Sequence, residues 1–279
     1  MGFMNVLNAM LSKVAHALLA PFVDAPVWGL VFWAALAGVG MTYVFGKTSR
    51  QAALKRAADQ TRAQLLAIKL FRDDIGVTFR CQKALMKATA MRLLHSLPPV
   101  AVLLVPFVLV AFQLGLWYEH APLVPGETTV VAIEFAPEAW LRHTDVEVDA
   151  PESVVVETGP LGDASESTIY WRLRPVAPGP TTLRWRLGDE VVEKELAVAA
   201  HAASLHPVSV NRPGPSFFSR LIHPGEPAFS SDSAVRSISV RHERRSNPIL
   251  GLNLHWFMTF LIVSMLTAFL VRNVFGVQF

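Results

Sequence analysis

Charge is scarce in this 279-residue chain. Only 17% of its residues are charged, against 52% hydrophobic, a balance that argues against a wholly soluble protein. The scarcity is also local. No Asp, Glu, Lys or Arg occurs in 25–46, 93–118 or 246–271, runs of 22, 26 and 26 residues. A bilayer core takes about 20 apolar residues per helix, so each run can hold one membrane span. Cysteine is scarcer still. Cys81 stands alone, which excludes an intramolecular disulfide and a paired-cysteine metal site. HExxH and GxSxG are missing as well, and with them the signatures of zinc proteases and serine hydrolases. No basic region precedes the first apolar stretch, and Lys13 interrupts it, so an ordinary signal peptide is not expected.

The charges that are present sort by segment. Residues 47–92 hold eleven Lys/Arg against Asp59, Asp73 and Asp74, whereas 119–245 hold twelve basic and eighteen acidic residues. Basic residues gather in cytoplasmic loops. The expected topology therefore has the N-terminus and 119–245 outside, 47–92 and the C-terminus inside, and spans over 27–46, 95–118 and 251–275. This orientation also accounts for the basic pI, so no specific nucleic-acid partner is implied.

Within 1–26, the apolar stripe Leu7, Met10, Leu11, Val14 and Leu18 predicts an interfacial amphipathic helix over 3–18. The first span carries Ala34, Gly38, Thr42 and Gly46 at intervals of four, a small-residue stripe suited to close helix packing. Residues 47–94 are rich in helix formers, and FRDDIG over 71–76 suggests a break between two helices of a cytoplasmic hairpin. The second span is expected to start at Pro98-Pro99 and to kink at Pro106. Gln113 lies seven residues on, where it either lines a wet cavity or bonds a neighbouring helix. GMTYVFGKT over 40–48 imitates a phosphate-binding loop, but five residues separate its glycines where that motif needs four, and no strand precedes it.

From 128 to 200 the hydrophobic period changes to two. Ile169, Trp171 and Leu173, then Leu183, Trp185 and Leu187, alternate with polar residues, and Gly188-Asp189 reads as a hairpin turn. With strands over 129–135, 144–149, 153–157, 190–198 and 235–241, the pattern suggests an immunoglobulin-like sandwich within 119–204, followed by a connection over 205–250. His201, His206, His223 and His242 lack metal-ligand spacing. Arg272 ends the last charge-free run and precedes a short apolar end over 276–279. It is either a cytoplasmic anchor or the floor of a water-filled groove.

Three stretches resemble the YidC/Oxa superfamily of membrane protein insertases, nearest its three-span branch. They are VFGKTSRQAALKR (44–56), FQLGLWYEHAPLVPGE (112–127) and NLHWFMTFLIVSMLTAFLVRNVFGV (253–277). The resemblance covers roughly half the chain, and the order of elements carries most of it. It implies a non-enzymatic insertase or membrane chaperone of the inner membrane, working without a cofactor or metal. Clients would be nascent membrane proteins, met in a polar groove by Arg272, Gln113 and Thr42. The hairpin surface of Arg80, Lys83 and Lys87 would face the client or the ribosome, and Ala34 and Gly38 would pack the spans. The three-span branch joins its second and third spans by a short segment, whereas this chain inserts about 130 residues there. A different class therefore stands beside the insertase: a scaffold whose outer domain binds an extracytoplasmic partner.

Overall fold

The computed structural model describes residues 3–70, 75–140, 146–188, 190–249 and 251–277. Four helices lead the chain: α1 (Phe3–Leu19), α2 (Pro26–Thr48), α3 (Gln51–Leu70) and α4 (Ile75–Tyr118). Two of them are long and apolar enough to cross a membrane, α2 in full and α4 over Phe79–Tyr118. The break expected over 71–76 falls mainly outside the described residues. Past it, α4 runs unbroken for 44 residues through Pro98, Pro99 and Pro106, about 66 Å at helical rise. No new helix begins at Pro98-Pro99. Each proline removes one backbone donor, a loss that apolar helices accommodate through local adjustments of their neighbouring turns.

The chain divides into two compact units. One comprises Met1–Leu30 and Leu109–Met258, the other Val31–Val108 and Thr259–Phe279.

The first unit is built on two antiparallel sheets. Its strands begin with β1 (Thr129–Phe135), a short helix α5 (Pro137–Trp140), β2 (Glu147–Asp149), β3 (Val154–Asp163) and β4 (Thr168–Pro175). They continue with β5 (Gly179–Leu187), β6 (Glu190–Val198), β7 (Asn211–Arg212), helix α6 (Phe217–Ile222) and β8 (Val235–Val240). One sheet has the order β3-β4-β1-β8-β7, the other β2-β5-β6. Strict alternation makes one face of each sheet apolar: Val131, Ile133, Phe135, Trp171 and Leu173 in the first, Leu183, Trp185, Leu187, Val192 and Leu196 in the second, all sharing one buried core. Trp171 and Trp185, one from each sheet, meet at 5.9 Å between ring centroids. Leu187 pairs with Glu190 across a two-residue turn, and Gly188 takes φ +63° there, a conformation that the primed hairpin turns require.

The expected strand over 144–149 is described only as Glu147–Asp149, and the one over 153–157 extends to Asp163. The connection over 205–250 is itself ordered into β7, α6, β8 and β9 (Pro248–Ile249). The latter pairs with β10 (Leu252–Asn253). That pairing delays the last helix, α7, to Trp256–Val271, short of the expected start at Leu252. Gly251 at φ +80° turns the chain, and Asn253 Oδ1 accepts from Asn247 N at 3.1 Å, which holds the strand in place.

At its other end α7 closes with a helix cap. Val277 N donates to Arg272 O at 2.9 Å and Gly276 N to Asn273 O at 3.3 Å, while Gly276 is left-handed at φ +63°. This six-to-one and five-to-two pairing is a Schellman cap, and such caps bring an apolar contact with them. Here Val277 is buried with Phe45, and Leu103 packs against the pair. Helical bonding thus persists beyond Val271 as far as Phe275, whose N–H reaches Val271 O at 3.3 Å.

Candidate functional site

In the second unit the small-residue stripe of α2 faces α7. A Cβ built on Gly38 would fall inside the van der Waals shell of the Ser264 carbonyl oxygen, and one on Gly46 would lie 2.8 Å from Val277 Cγ2. Ala34 is fully buried. Glycine at position 38 therefore lets two backbones approach where any side chain would separate them. Thr42 is buried on the same helix, and its hydroxyl donates to Gly38 O at 2.8 Å. That hydroxyl is satisfied within its own helix.

Arg272 is exposed just past α7, with its guanidinium 5.4 Å over the Phe269 ring. Its carbonyl accepts the Schellman bond, so it sits one turn before the helix stops. Arg80, Lys83 and Lys87 are exposed along α4. Spacings of three and four put them on one face, and Arg80 Nε also donates to Gly76 O at 3.3 Å. The same helix pair exposes large apolar side chains: Leu65, Leu66 and Leu70 on α3, Phe79 and Met86 on α4.

Gln113 belongs to the first unit. It is buried, and its Oε1 accepts from Ser12 Oγ of α1 at 3.3 Å. One turn further along each helix, the rings of His16 and Trp117 meet in a tilted contact, 5.5 Å between centroids. One turn back, Asn8 is buried and its Nδ2 donates to Arg220 O of α6 at 2.9 Å. So α1 turns Asn8 and Ser12 toward the protein. The apolar residues Val6, Met10, Val14 and Leu18, four apart, stay exposed.

The last turn of α4 is bonded into the sandwich. Helix C-termini leave carbonyls without partners. Here Val208 N donates to Leu116 O at 2.7 Å and Arg245 N to Glu119 O at 2.9 Å, while Asn247 Nδ2 donates to Tyr118 O at 3.3 Å. The Arg245 guanidinium donates to Ala203 O and Ser204 O at 2.9 and 2.8 Å, and burial pulls its pKa down. A cavity of about 560 Å³ opens beside this junction, lined by Lys13, His16, Trp117, Thr181, Glu195 and His206 among others. Burial lowers the His206 pKa, and the neighbouring Arg245 and His16 add to the effect. Among the described residues no group of three or more His, Cys, Asp or Glu is placed to hold a metal ion.

Sequence reasoning missed a buried ion pair. Lys194 occupies an inward-facing position of β6 between Val192 and Leu196 and is completely buried. Its ammonium meets the Glu226 carboxylate and also donates to Ser209 O at 2.6 Å. Burial lowers its pKa, opposed by the adjacent Glu226. The only signal in the sequence was the phase of the alternation, which sets residue 194 inward.

No family model matches the sequence, and no curated protein matches it. Among solved structures, the S-layer protein rSbsC is similar over 29% of this chain at 18% identity and a TM-score of 0.22. The match spans 12% of that protein's length and assigns this chain neither fold nor function.

Proposed function

We propose that this is a three-span inner-membrane protein of the YidC/Oxa type, with the sandwich outside and α3 and the start of α4 in the cytoplasm. On this reading it serves as an insertase or membrane chaperone for client transmembrane segments. The observation that carries the reading is the mixed surface of the helical arm. Leu66, Leu70, Phe79 and Met86 are 68–75% exposed, beside Arg80, Lys83 and Lys87. Solvated helices rarely show that much apolar surface unless something apolar meets it, and Met- and Leu-rich surfaces accept many sequences. The basic face would hold acidic client flanks or ribosomal RNA, and the bilayer would then receive the apolar segment. No cofactor is needed, because the driving force is transfer of apolar surface out of water.

A second reading has support of its own. Thr42 and Gln113 both have internal hydrogen-bond partners, and Gly38 packs closely on Ser264. Such pairing suits a scaffold with a dry helix seam, whose immunoglobulin-like outer domain binds a protein partner. A photocrosslinker at Met86 separates the two readings. The insertase gives adducts to many nascent membrane proteins during synthesis, and these weaken when Arg80, Lys83 and Lys87 are all changed to Ala. Adducts to one stable partner, with none to nascent chains, would leave the scaffold.

A further inference from the structure

Helix α6 projects from the sandwich on a fixed base. Pro213, Pro224 and Phe229 on either side of it are buried, and Phe229 N donates to Pro213 O at 2.9 Å, which closes the loop. Ser216 caps the helix by accepting from Ser219 N at 3.1 Å. From this base the adjacent rings of Phe217 and Phe218, in edge contact at 5.6 Å, are 57% and 72% exposed, and Ile222 is 48% exposed. Burying such side chains is favourable in proportion to the apolar area removed from water. Three left in water on a short, deliberately capped helix require a partner for them.

Position indicates the partner. Asn8 of α1 bonds to α6 through the Arg220 carbonyl, and one turn along α1 Ser12 bonds to Gln113 near the end of the apolar part of α4. Helix α6 therefore lies beside the last three turns of α4, about 14 Å before its charge-free run ends at Tyr118. Beside it runs the exposed apolar stripe of Val6, Met10, Val14 and Leu18. Charge agrees. Residues 211–225 carry Arg212 and Arg220 and no Asp or Glu, and 1–23 carry Lys13 without an acid, although 119–245 as a whole hold eighteen acidic residues against twelve basic. Aromatic residues flanked by cations are the composition of a bilayer interface, where rings sit among headgroups and cations meet phosphate.

We infer that α6 inserts Phe217, Phe218 and Ile222 into the outer leaflet beside α1, so that the sandwich is held on the phospholipid surface by a second, loop-borne contact besides its attachment to the helices. The inference rests on the membrane-spanning reading of α4, and its test separates the two.

The test uses the full chain with Cys81→Ser, reconstituted in vesicles of zwitterionic and anionic phospholipid. An environment-sensitive fluorophore is attached at Phe218→Cys, and separately at Val105→Cys of α4 and Leu161→Cys of β3, both exposed positions. The Phe218 probe shifts to shorter wavelength and loses intensity with a nitroxide near the lipid ester. The Val105 probe is quenched by a nitroxide near the acyl terminus, and the Leu161 probe stays as in water. If Val105 is quenched while Phe218 matches Leu161, the insertion of α6 is wrong and the span stands; a protein partner for the pad gives this same result in pure lipid. If Val105 also reports water, the spanning reading fails and takes the α6 contact with it.

Discussion

His242 follows β8 with its ring mostly enclosed. Nδ1 lies 3.2 Å from Val240 O, and Nε2 is buried with no hydrogen-bond partner. Burial brings its pKa down from 6.5 to about 4, reinforced by Lys194 and His120 and opposed by the Val240 bond. The unfolded chain therefore binds a proton between those values that the folded domain refuses. Stability is complete above pH 6.5 and declines as the pH falls toward about 4, by at most about 3 kcal/mol from this group. Acid unfolding of the purified protein, followed by near-ultraviolet circular dichroism of the tryptophan core, should show the loss. His242→Asn, which keeps a donor for Val240 O and does not titrate, should flatten it. An unchanged acid profile would mean that this ring is solvated when the domain is in solution. Residues of this kind were beyond the reach of the sequence. His242 showed in the sequence only a lack of metal-ligand spacing, because nothing local announces what covers it. Lys194 read as one charge among many, because Glu226, which makes its burial tolerable, lies in a stretch with no periodic pattern. Trp171 and Trp185 were legible for the opposite reason: alternation of apolar with polar neighbours is a local property.

At the scale of elements, the helices illustrate how far a pattern goes. The apolar stripe of α1 was visible in part, since Met10, Val14 and Leu18 are exposed while Leu7 and Leu11 are half-buried, and the small-residue stripe of α2 was visible as well. What the pattern cannot state is which solvent each face meets. In α1 the buried face holds Asn8 beside Leu19, and the apolar stripe points away from the protein. The hydrogen bonds to α6 and α4 that set this orientation come from residues 212 and 101 positions away, respectively. The start of α7 was misjudged for a similar reason: its charge-free run began earlier, and only the pairing of β9 with β10 takes Leu252 and Asn253 out of the helix. For α2, the stripe and the structure make a sharp claim. Gly38 faces the Ser264 carbonyl, whereas Gly40 on the same helix has nothing near its Cβ position. Gly38→Ala should separate α2 from α7 and lower the thermal stability of the protein in detergent by about 1–3 kcal/mol. Gly40→Ala should be neutral or slightly stabilising, since alanine is the better helix former by roughly 1 kcal/mol. Equal responses at the two positions would show that the approach at Gly38 is not what holds these helices.

For the molecule as a whole, the decisive quantity is the length of α7. Its regular part, Trp256–Val271, has 16 residues, about 24 Å, short of the roughly 30 Å of a hydrocarbon core. The helical bonds that continue to Phe275, and the Schellman cap that terminates them, add four residues and close that gap. Arg272 then lies one turn from the end, where on the proposed topology its guanidinium would reach headgroups. On the proposed three-span topology, a helix of this length is enough to cross, and its end would lie in the cytoplasm. The charge distribution makes the complementary demand, since the proposed topology puts the basic arm over 47–92 on the cytoplasmic side. Single cysteines at Leu161, Lys83 and Asn273 in a Cys81→Ser background test both demands with a membrane-impermeant maleimide. In sealed spheroplasts Leu161→Cys should label at once, whereas Lys83→Cys and Asn273→Cys should label only after permeabilisation. Labelling of Asn273→Cys together with Leu161→Cys would return α7 to the outer side and leave two spans. A two-span chain could not assemble the Gly38–Ser264 seam inside the bilayer, so the same result would force that contact, and the stability that depends on it, to be explained in water.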